Sequence, residues 1–289
     1  KRQLWNLYTR SWDDFLLNAF SVDSELLPVP VPNAFNYGLL NEFGYPLVFV
    51  NGDQNSAVYG HAKLSLKSTF VNIGTGGFIL ARDIQHAPPD SKLLVSIIYS
   101  SEAIQEFALE GTINGAGSSL TWARENWGIE NIKEIPWHEE TDIPIFINTV
   151  GGLGSPWWRS DITPKFLGEK KTYLDYTEKQ CKAALMESII FLIAKNLEEI
   201  QKSEFQTNIL IVSGGLTADK HLCQRLADLC SIPVLISNYQ ETTSRGAAWL
   251  AMDRPDWKFA NSEIVNPIKD DALAIRYSMF IAEIERLLH

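Results

Sequence analysis

The second half of the sequence alternates short apolar runs with amphipathic segments of helical length. Runs rich in Ile, Leu and Val at 209–212 and 234–237 have the length and composition of buried strands. The segments 219–229 and 243–252 follow them, with apolar residues at helical spacing. A Ser213-Gly214-Gly215 turn joins the first strand to the first helix. This β-turn-α-β-α order predicts an α/β fold, with a sheet flanked by helices.

A long helix is predicted to begin near Thr177. Thr177 and Gln180 have the Thr-x-x-Gln spacing of a capping box, in which each residue satisfies a free backbone N–H of the other. Apolar residues then recur every three or four positions, at Leu185, Ile189, Leu192, Ile193, Leu197 and Ile200. A last helix is expected over about 271–288 and closes the sequence.

The central part of the sequence predicts an antiparallel or mixed sheet. Strand-like segments occupy 69–73, 77–81 and 93–99, and a Gly-Thr-Gly turn at 74–76 joins the first two as a hairpin. The other elements expected here are a helix over 118–127 and a strand at 146–148.

The first 65 residues predict an irregular segment that ends at a buried strand. A short helix is expected over about 12–20, and the alternating prolines of 27–32 indicate an extended connector. The apolar run at 46–50, ended by Asn51-Gly52, has the pattern of a buried strand. A small-residue stretch at 56–62 is compatible with a helix.

Composition and charge exclude several functional classes. With 45% hydrophobic and 11% aromatic residues, the chain has the material for a substantial core, which excludes disorder. Its 25 basic and 35 acidic residues give a net charge of −10 without a basic cluster, which argues against nucleic-acid and anionic-membrane partners. No apolar run approaches the roughly 18 residues of a membrane span. Three scattered cysteines indicate a reducing compartment, and no zinc-type spacing occurs around His221 and Cys223.

Three glycine-containing turns are candidate phosphate-binding loops. They lie at 74–76, 115–117 and 214–215, where strands are predicted to end. Ligands of open α/β sheets bind beyond the carboxyl ends of strands, and glycine lets backbone approach a phosphate closely. Each turn alone is more typical of an ordinary connection. The sequence has neither a Walker loop nor the dinucleotide-binding G-x-G-x-x-G pattern.

Asp53 is the strongest candidate for a catalytic side chain. It follows a predicted buried strand and a glycine, so its carboxylate is expected at a crevice. There it could accept the proton of a hydroxyl that attacks a phosphoryl group. From the residues alone, an ordinary loop aspartate remains the simpler interpretation.

Three further features are best explained structurally. The acidic pair Glu139-Glu140 predicts a solvated loop, and Glu187 an interhelical or surface salt bridge. Trp157-Trp158 could stack on a sugar or base, although packing of the loop onto the core explains the pair equally well.

Taken in order along the chain, several motifs resemble those of the FGGY carbohydrate kinases, and most closely the glycerol kinase branch. The motifs are Gly52-Asp53-Gln54, Gly74-Thr75-Gly76, Leu109-Glu110-Gly111 with Gly117, Gly152-Leu153-Gly154-Ser155-Pro156-Trp157-Trp158, Ser213-Gly214-Gly215 and Thr243-x-x-Gly246-Ala247-Ala248. The resemblance extends from about residue 5 to residue 253.

The resemblance implies an actin/Hsp70-like architecture of two RNase-H-like domains with a cleft between them. It implies that residues 1–65 end the first, substrate-side domain, that 66–255 form the second, nucleotide-side domain, and that 256–289 hold a C-terminal helix. ATP with Mg²⁺ and a sugar or polyol would meet in the cleft, in a cytoplasmic enzyme, and a homodimer stays open. Family members are about twice as long, so the chain corresponds to their C-terminal half.

The resemblance also implies roles for individual residues. Asp53 matches the catalytic base and Gln54 a contact to the substrate hydroxyls. The remaining matched positions lie on the nucleotide side: Gly74, Thr75, Gly76, Gly117, Thr121, Gly214, Gly215 and Asp219. No residue is expected to bind a resident metal. The sequence departs from the family at Thr121, Asp219 and Arg159, where Gln, Asn and an acid are usual.

Two other functional classes remain as alternatives. A non-catalytic nucleotide-binding relative would keep the turns without a substrate half. In residues 1–289 alone, the apolar surface of residues 1–60, which in the family would pack on the other half, is expected to be exposed and to promote association or misfolding. An actin-like structural ATPase is disfavoured by Asp53-Gln54 and by the Gly-Leu-Gly-Ser-Pro-Trp-Trp loop.

Overall fold

The structure is a computed structural model that describes residues 4–61, 67–84, 91–203, 205–239, 241–257 and 262–289. The strands are β1 (Trp5–Asn6), β2 (Ser11–Trp12), β3 (Leu39–Leu40), β4 (Tyr45–Pro46), β5 (Ser68–Ile73), β6 (Gly77–Ile84), β7 (Leu94–Ser100), β8 (Gln105–Ile113), β9 (Phe146–Ile147), β10 (Lys165–Phe166), β11 (Ile209–Ser213), β12 (Val234–Ile236) and β13 (Glu263–Val265). The helices are α1 (Asp14–Ala19), α2 (Asp53–Ala57), α3 (Gly117–Trp127), α4 (Glu178–Gln201), α5 (Lys220–Cys230), α6 (Thr242–Ala251) and α7 (Asp271–Leu288).

A seven-stranded mixed sheet with the order β13-β12-β11-β5-β6-β8-β7 organises the fold. Strands β5, β11 and β12 are parallel neighbours, whereas β6, β8 and β7 continue the sheet antiparallel. This confirms the predicted α/β class and mixed sheet. The edge strand β13 lies in the segment for which only the C-terminal helix was predicted.

The two faces of the sheet carry separate apolar clusters because strand side chains alternate between faces. Val71 and Ile73 of β5 belong to the larger cluster, which is covered by α3, α4, α5 and α7. Phe70 of the same strand belongs to the smaller cluster, which is covered by Trp249 of α6 and by Tyr59, just after α2. Helix α2 therefore lies on the less covered face.

Helix α4 forms as its sequence predicts. Thr177 Oγ1 accepts from the Gln180 backbone N–H at 3.2 Å, and Gln180 Oε1 accepts from the Thr177 N–H at 3.0 Å. Glu187 is buried within it and binds both Arg225 of α5 and Arg276 of α7. This confirms the interhelical salt bridge predicted for Glu187.

The predicted buried strand at 46–50 is wrong. Only Pro46 of that run is in a strand, β4, which pairs with β3 in a two-residue hairpin, and Val48 and Val50 are exposed. Phe49 is half-buried because it stacks on Tyr99 of β7, with ring centroids 6.3 Å apart, but the run does not join the main sheet as a strand.

Residues 4–50 expose many large apolar side chains, in agreement with the apolar surface expected for this segment. Phe15, Leu26 and Val29 are 78%, 80% and 85% exposed. The other large apolar side chains exposed in this segment are Tyr8, Phe20, Val31, Phe35, Tyr37, Leu39, Leu40, Phe43, Tyr45, Val48 and Val50. Exposed apolar side chains in this number are characteristic of a segment that contacts another molecule or another part of a chain.

Candidate active site

Two of the predicted glycine turns lie side by side at one edge of the sheet. Strands β5 and β11 are parallel, and Asn72 is in register with Ser213, so the turns at 74–76 and 214–215 leave the sheet at the same level. Gly214 has φ +104°, and an added Cβ would lie 2.6 Å from Asn72 Oδ1 and from the Ile73 oxygen. Only glycine combines this backbone angle with so close a neighbour.

The third turn meets the first at the start of α3. The Gly117 N–H donates to the Gly74 oxygen at 2.9 Å, and the Ser118 N–H donates to the Thr75 oxygen at 2.8 Å. These two N–H groups are therefore used within the protein and are not free for a phosphate. Thr75 at the turn, and Thr121 on α3, are exposed.

Gly215 is exposed in the turn after β11. An added Cβ would have nothing within 4 Å, and the φ of Gly215 is not positive. Within this turn, Gly214 and not Gly215 is therefore the residue whose backbone angle requires glycine. Space beside Gly215 is open to a ligand.

Both carboxylate oxygens of Asp219 are occupied within the protein. Oδ1 caps α5 by accepting from the His221 N–H at 3.1 Å, and Oδ2 accepts from Trp137 Nε1 at 2.6 Å. The Trp137 indole also lies beneath the Arg225 guanidinium, 5.1 Å from the ring centroid. Sequence reasoning missed Trp137, because nothing in its neighbourhood along the chain links it to a residue 82 positions away.

Asp53 is the first residue of α2 and is exposed. Its Oδ1 accepts from the Gln54 N–H at 2.7 Å, and its backbone oxygen accepts from Thr243 Oγ1 at 3.2 Å. The flanking residues Asn51 and Asn55 fix the helix by donating from Nδ2 to β7 carbonyl oxygens, at 2.9 Å and 3.0 Å. A rigid, solvent-accessible carboxylate results, although it does not follow a buried strand as expected.

Helices α2 and α6 are in backbone contact. An added Cβ on Gly246 would lie 1.8 Å from the Ser56 oxygen, and one on Gly60 would lie 2.5 Å from the Thr242 oxygen. Arg245 Nε also donates to the Gly60 oxygen at 2.9 Å. The glycine of the Thr243-x-x-Gly246 motif thus holds α2, and with it Asp53, at a fixed place.

Gln54 connects α2 to the glycine turns. Its side chain lines a small cavity together with Asn72 and Ser213, which directly precede the ends of β5 and β11, and with Thr242 at the start of α6. The structure therefore brings Gln54 to the sheet edge that carries Gly74, Thr75, Gly76, Gly117, Gly214 and Gly215. A carboxylate, an amide and glycine turns at one edge suit a site for a hydroxyl and a phosphate.

The tryptophan loop packs against the protein. Trp158 Nε1 donates to the Lys92 oxygen at 2.8 Å, and Trp157 contacts the larger apolar cluster. Arg159 forms a bidentate ion pair with Asp161, with both N···O distances at 2.7 Å, which lowers the pKa of Asp161 to about 2. These contacts favour the packing interpretation of the loop and show what Arg159 does in this chain.

The described part of the chain contains no group of three or more His, Cys, Asp or Glu side chains placed to hold a metal ion. His221 stacks on His138 with ring centroids 3.7 Å apart, and burial raises the pKa of the Cys223 thiol to about 12. The described helices also include none long and apolar enough to cross a membrane.

A family model for the FGGY family of carbohydrate kinases, C-terminal domain, matches residues 69–253. The chain belongs to the FGGY family of carbohydrate kinases. Glycerol kinase 1 of Thermotoga maritima is 29% identical over 266 residues, and the glycerol kinase of Bradyrhizobium sp. strain ORS 278 is 32% identical over 269 residues. Each alignment covers 86% of this chain but 52% of the relative. The FGGY chain thus spans about half the length of these curated relatives, as its resemblance to a C-terminal half predicted.

Solved structures show the same fold. Plasmodium falciparum glycerol kinase with ADP superposes with a TM-score of 0.81 at 24% identity, covering 98% of this chain and 61% of that one. The ligand-bound xylulose kinase of Lactobacillus acidophilus gives 0.76 at 19% identity, covering 99% and 62%. The predicted fold class, an actin/Hsp70-like domain with a mixed sheet flanked by helices, is therefore confirmed for this FGGY chain.

Proposed function

We propose that this chain forms the nucleotide-side part of an ATP-dependent kinase that phosphorylates a hydroxyl group of a polyol or sugar. Glycerol is the leading acceptor, because the relatives named above are glycerol kinases, and a ketose is the second choice, because a structural neighbour is a xylulose kinase. One observation carries the proposal: Gln54, the neighbour of Asp53 on α2, lines a cavity together with Asn72 and Ser213 at the strand ends from which two of the glycine turns leave.

In this proposal Asp53 is the general base. Among the described residues only its Oδ1 is engaged, by the Gln54 N–H, so the other oxygen can accept the proton of the attacking hydroxyl. Gln54 beside it orients that hydroxyl. The Asn51 and Asn55 anchors and the α2–α6 contact hold both residues still, as in-line attack requires.

The nucleotide would lie across the turns. Thr75 and Gly76 would face the phosphates, and Gly215 and Thr121 the nucleoside part, because all are accessible at one edge. The bonds of Asp219 to Trp137 and α5 support a positioning role, in which it sets the wall that the nucleotide contacts.

Mg²⁺ fits this site only as a companion of ATP. Mg²⁺ in kinases is commonly held by substrate phosphates with one or two carboxylates and waters, and the described residues include no group of three or more His, Cys, Asp or Glu side chains that would hold the ion without ATP. When bound, the ion would neutralise charge that develops on the transferred phosphoryl group.

The domain boundaries at 65 and 255, a cytoplasmic location and a homodimer belong to the proposal as well. The second candidate function is a nucleotide-binding module without catalysis, which would need only the glycine turns at the ends of β5 and β11. In the kinase proposal, the exposed apolar face of residues 4–50 is covered by the other half of the enzyme.

Two measurements separate the candidates. The first is the mass of the native protein, for which about twice 32.5 kDa per chain supports the kinase. The second is a coupled kinase assay of the native protein with a panel of polyols and ketoses. Residues 1–289 alone are expected to bind an ATP analogue in the high micromolar range or more weakly, without turnover. Nucleotide binding without turnover by the native protein would establish the module instead.

A further inference from the structure

A small cavity lies between α2 and the ends of β5 and β11. Its volume is about 20 Å³, and Gln54 and His61 line it from the α2 side. Asn72 and Ser213, at the ends of the two strands, and Thr242 of α6 add polar groups to its wall. It therefore lies directly beneath the proposed active site.

Two side-chain atoms at this cavity are buried and have no hydrogen-bond partner among the described residues. They are Oε1 of Gln54 and Nδ1 of His61. A buried polar atom without a partner costs on the order of 1–3 kcal/mol, so native structures rarely retain two of them on residues that line one cavity. The cavity exceeds the roughly 10–15 Å³ that one water molecule needs, and its wall is polar enough to bind one.

We propose that this cavity binds one structural water molecule that links Gln54 to His61, and that His61 is thereby a positioning residue for the Gln54 amide. The water donates a hydrogen bond to Oε1 of Gln54 and forms a second hydrogen bond with Nδ1 of His61. Its remaining hydrogen-bonding capacity faces Asn72, Ser213 and Thr242.

The surroundings of His61 suit a fixed, neutral imidazole. His61 is 2% exposed, and its ring lies between Phe70 and Tyr239, with centroid distances of 6.0 Å and 5.7 Å. Burial and the positive charge of Arg245 lower the pKa of His61 to about 4. The neutral ring can donate or accept at Nδ1, depending on its tautomer.

The consequence for recognition rests on the proposed function. A water bonded to Oε1 fixes which end of the Gln54 amide faces inward. The Nε2 group is then directed to the acceptor side, where it donates to a substrate hydroxyl oxygen. Gln54 would thus select acceptors that offer a lone pair at that position, and the contacts to the nucleotide would not depend on it.

The water itself is tested by a crystal structure of the wild-type protein at a resolution that shows ordered solvent, about 1.5 Å. We expect a single water peak within about 3.2 Å of both Gln54 Oε1 and His61 Nδ1. A cavity without such a peak, or direct contact between the two side chains, would overturn the proposal. This experiment needs no variant and no activity.

The positioning role is tested by kinetics of the native kinase. His61→Leu removes Nδ1, and loss of one hydrogen bond should raise the KM for the acceptor about three- to tenfold, with the KM for ATP within about twofold of wild type. His61→Gln keeps polar atoms near the cavity and should recover most of the loss. Equal changes in both constants for His61→Leu, or an unchanged acceptor KM, would overturn the role.

Gln54→Ala separates this inference from the proposed function. If it raises the acceptor KM while His61→Leu does not, the positioning role is wrong and the function stands. If Gln54→Ala leaves the acceptor KM unchanged, the substrate role of Gln54 is wrong and the role of His61 falls with it. The crystal structure still decides whether the water is present.

Discussion

Gly246→Ala tests whether backbone contact between α2 and α6 sets the position of Asp53. The added Cβ would lie 1.8 Å from the Ser56 oxygen, whereas real Cβ contacts are essentially never under 3.0 Å. The two backbones must therefore separate by about 1.2 Å, the difference between these distances. The clashing atom belongs to the backbone, so no side-chain rotation can relieve it.

Two opposing effects decide the change in stability. Alanine in a helix interior gains about 1 kcal/mol over glycine. Overpacking of a well-packed contact costs typically about 1–3 kcal/mol, and a backbone clash belongs at or above the upper end. We expect a net loss of about 2 kcal/mol in the free energy of unfolding, measured by urea denaturation. In the native kinase, a displacement of Asp53 by about 1 Å should lower kcat on the order of 10²-fold.

Ala248→Ser is the matched control, because Ala248 is exposed on the same helix. It should change the free energy of unfolding by less than about 0.5 kcal/mol and leave kcat unchanged. If Gly246→Ala were as stable as wild type or more so, helix propensity alone would govern the site, and the contact argument would be refuted.

Substitutions at Gly215, Glu187 and His61 test three other parts of the account. Gly215→Val should raise the KM for ATP by a much larger factor than the KM for the acceptor. It should not lower stability, because the protein has no atom within 4 Å of an added Cβ. Equal increases in both constants would assign Gly215 to packing. Glu187→Gln should lower the free energy of unfolding, measured by urea denaturation, by about 3–5 kcal/mol, because Arg225 and Arg276 lose their buried counter-ion. As a control, Lys269→Ala, which removes the exposed ion pair with Asp271, should leave that free energy almost unchanged. Folding lowers the pKa of His61 to about 4, from an ordinary value of 6.5. The stability that neutral His61 contributes is therefore complete above pH 6.5 and is lost as the pH falls through 4. His61→Gln should reduce the slope of the unfolding free energy against pH over that interval, and an unchanged slope would count against the buried neutral imidazole.

Elements with their own local signals could be predicted from the sequence. Helix α4 has its capping box and its apolar stripe and forms where expected, as does the last helix, α7. Strands β11 and β12 are short apolar runs in a β-turn-α-β order, and this order also fixes their parallel arrangement. In each case the information lies within a few neighbouring residues.

Strand β8 was not predicted, because its sequence contradicts its environment. It contains Glu110 and Gly111 between apolar residues, a pattern unlike a core strand. Glu110 is nevertheless fully buried, and Ser96 Oγ of β7 donates to its Oε2 at 3.0 Å. This hydrogen-bond partner lies on another strand, so local reasoning cannot detect it.

The residues of the candidate site also divide into those found from local motifs and those that depend on long-range contacts. The glycine turns and Asp53-Gln54 are local motifs and could be found by resemblance. The cap that Asp219 provides, its bond to Trp137 and the cavity shared by Gln54 and His61 depend on contacts between distant segments. At 46–50 a local signal was present but gave a wrong prediction. The composition of this apolar run suits burial, whereas the structure leaves Val48 and Val50 exposed.

Asp53→Asn in the native kinase tests the central claim most directly. The amide keeps the shape of the side chain but cannot accept a proton, so kcat should fall about 10²–10⁴-fold, while the Kd for an ATP analogue, measured by calorimetry, stays near that of wild type. Retention of more than about a tenth of wild-type kcat would contradict the assignment of Asp53 as the base and, with it, the proposed site.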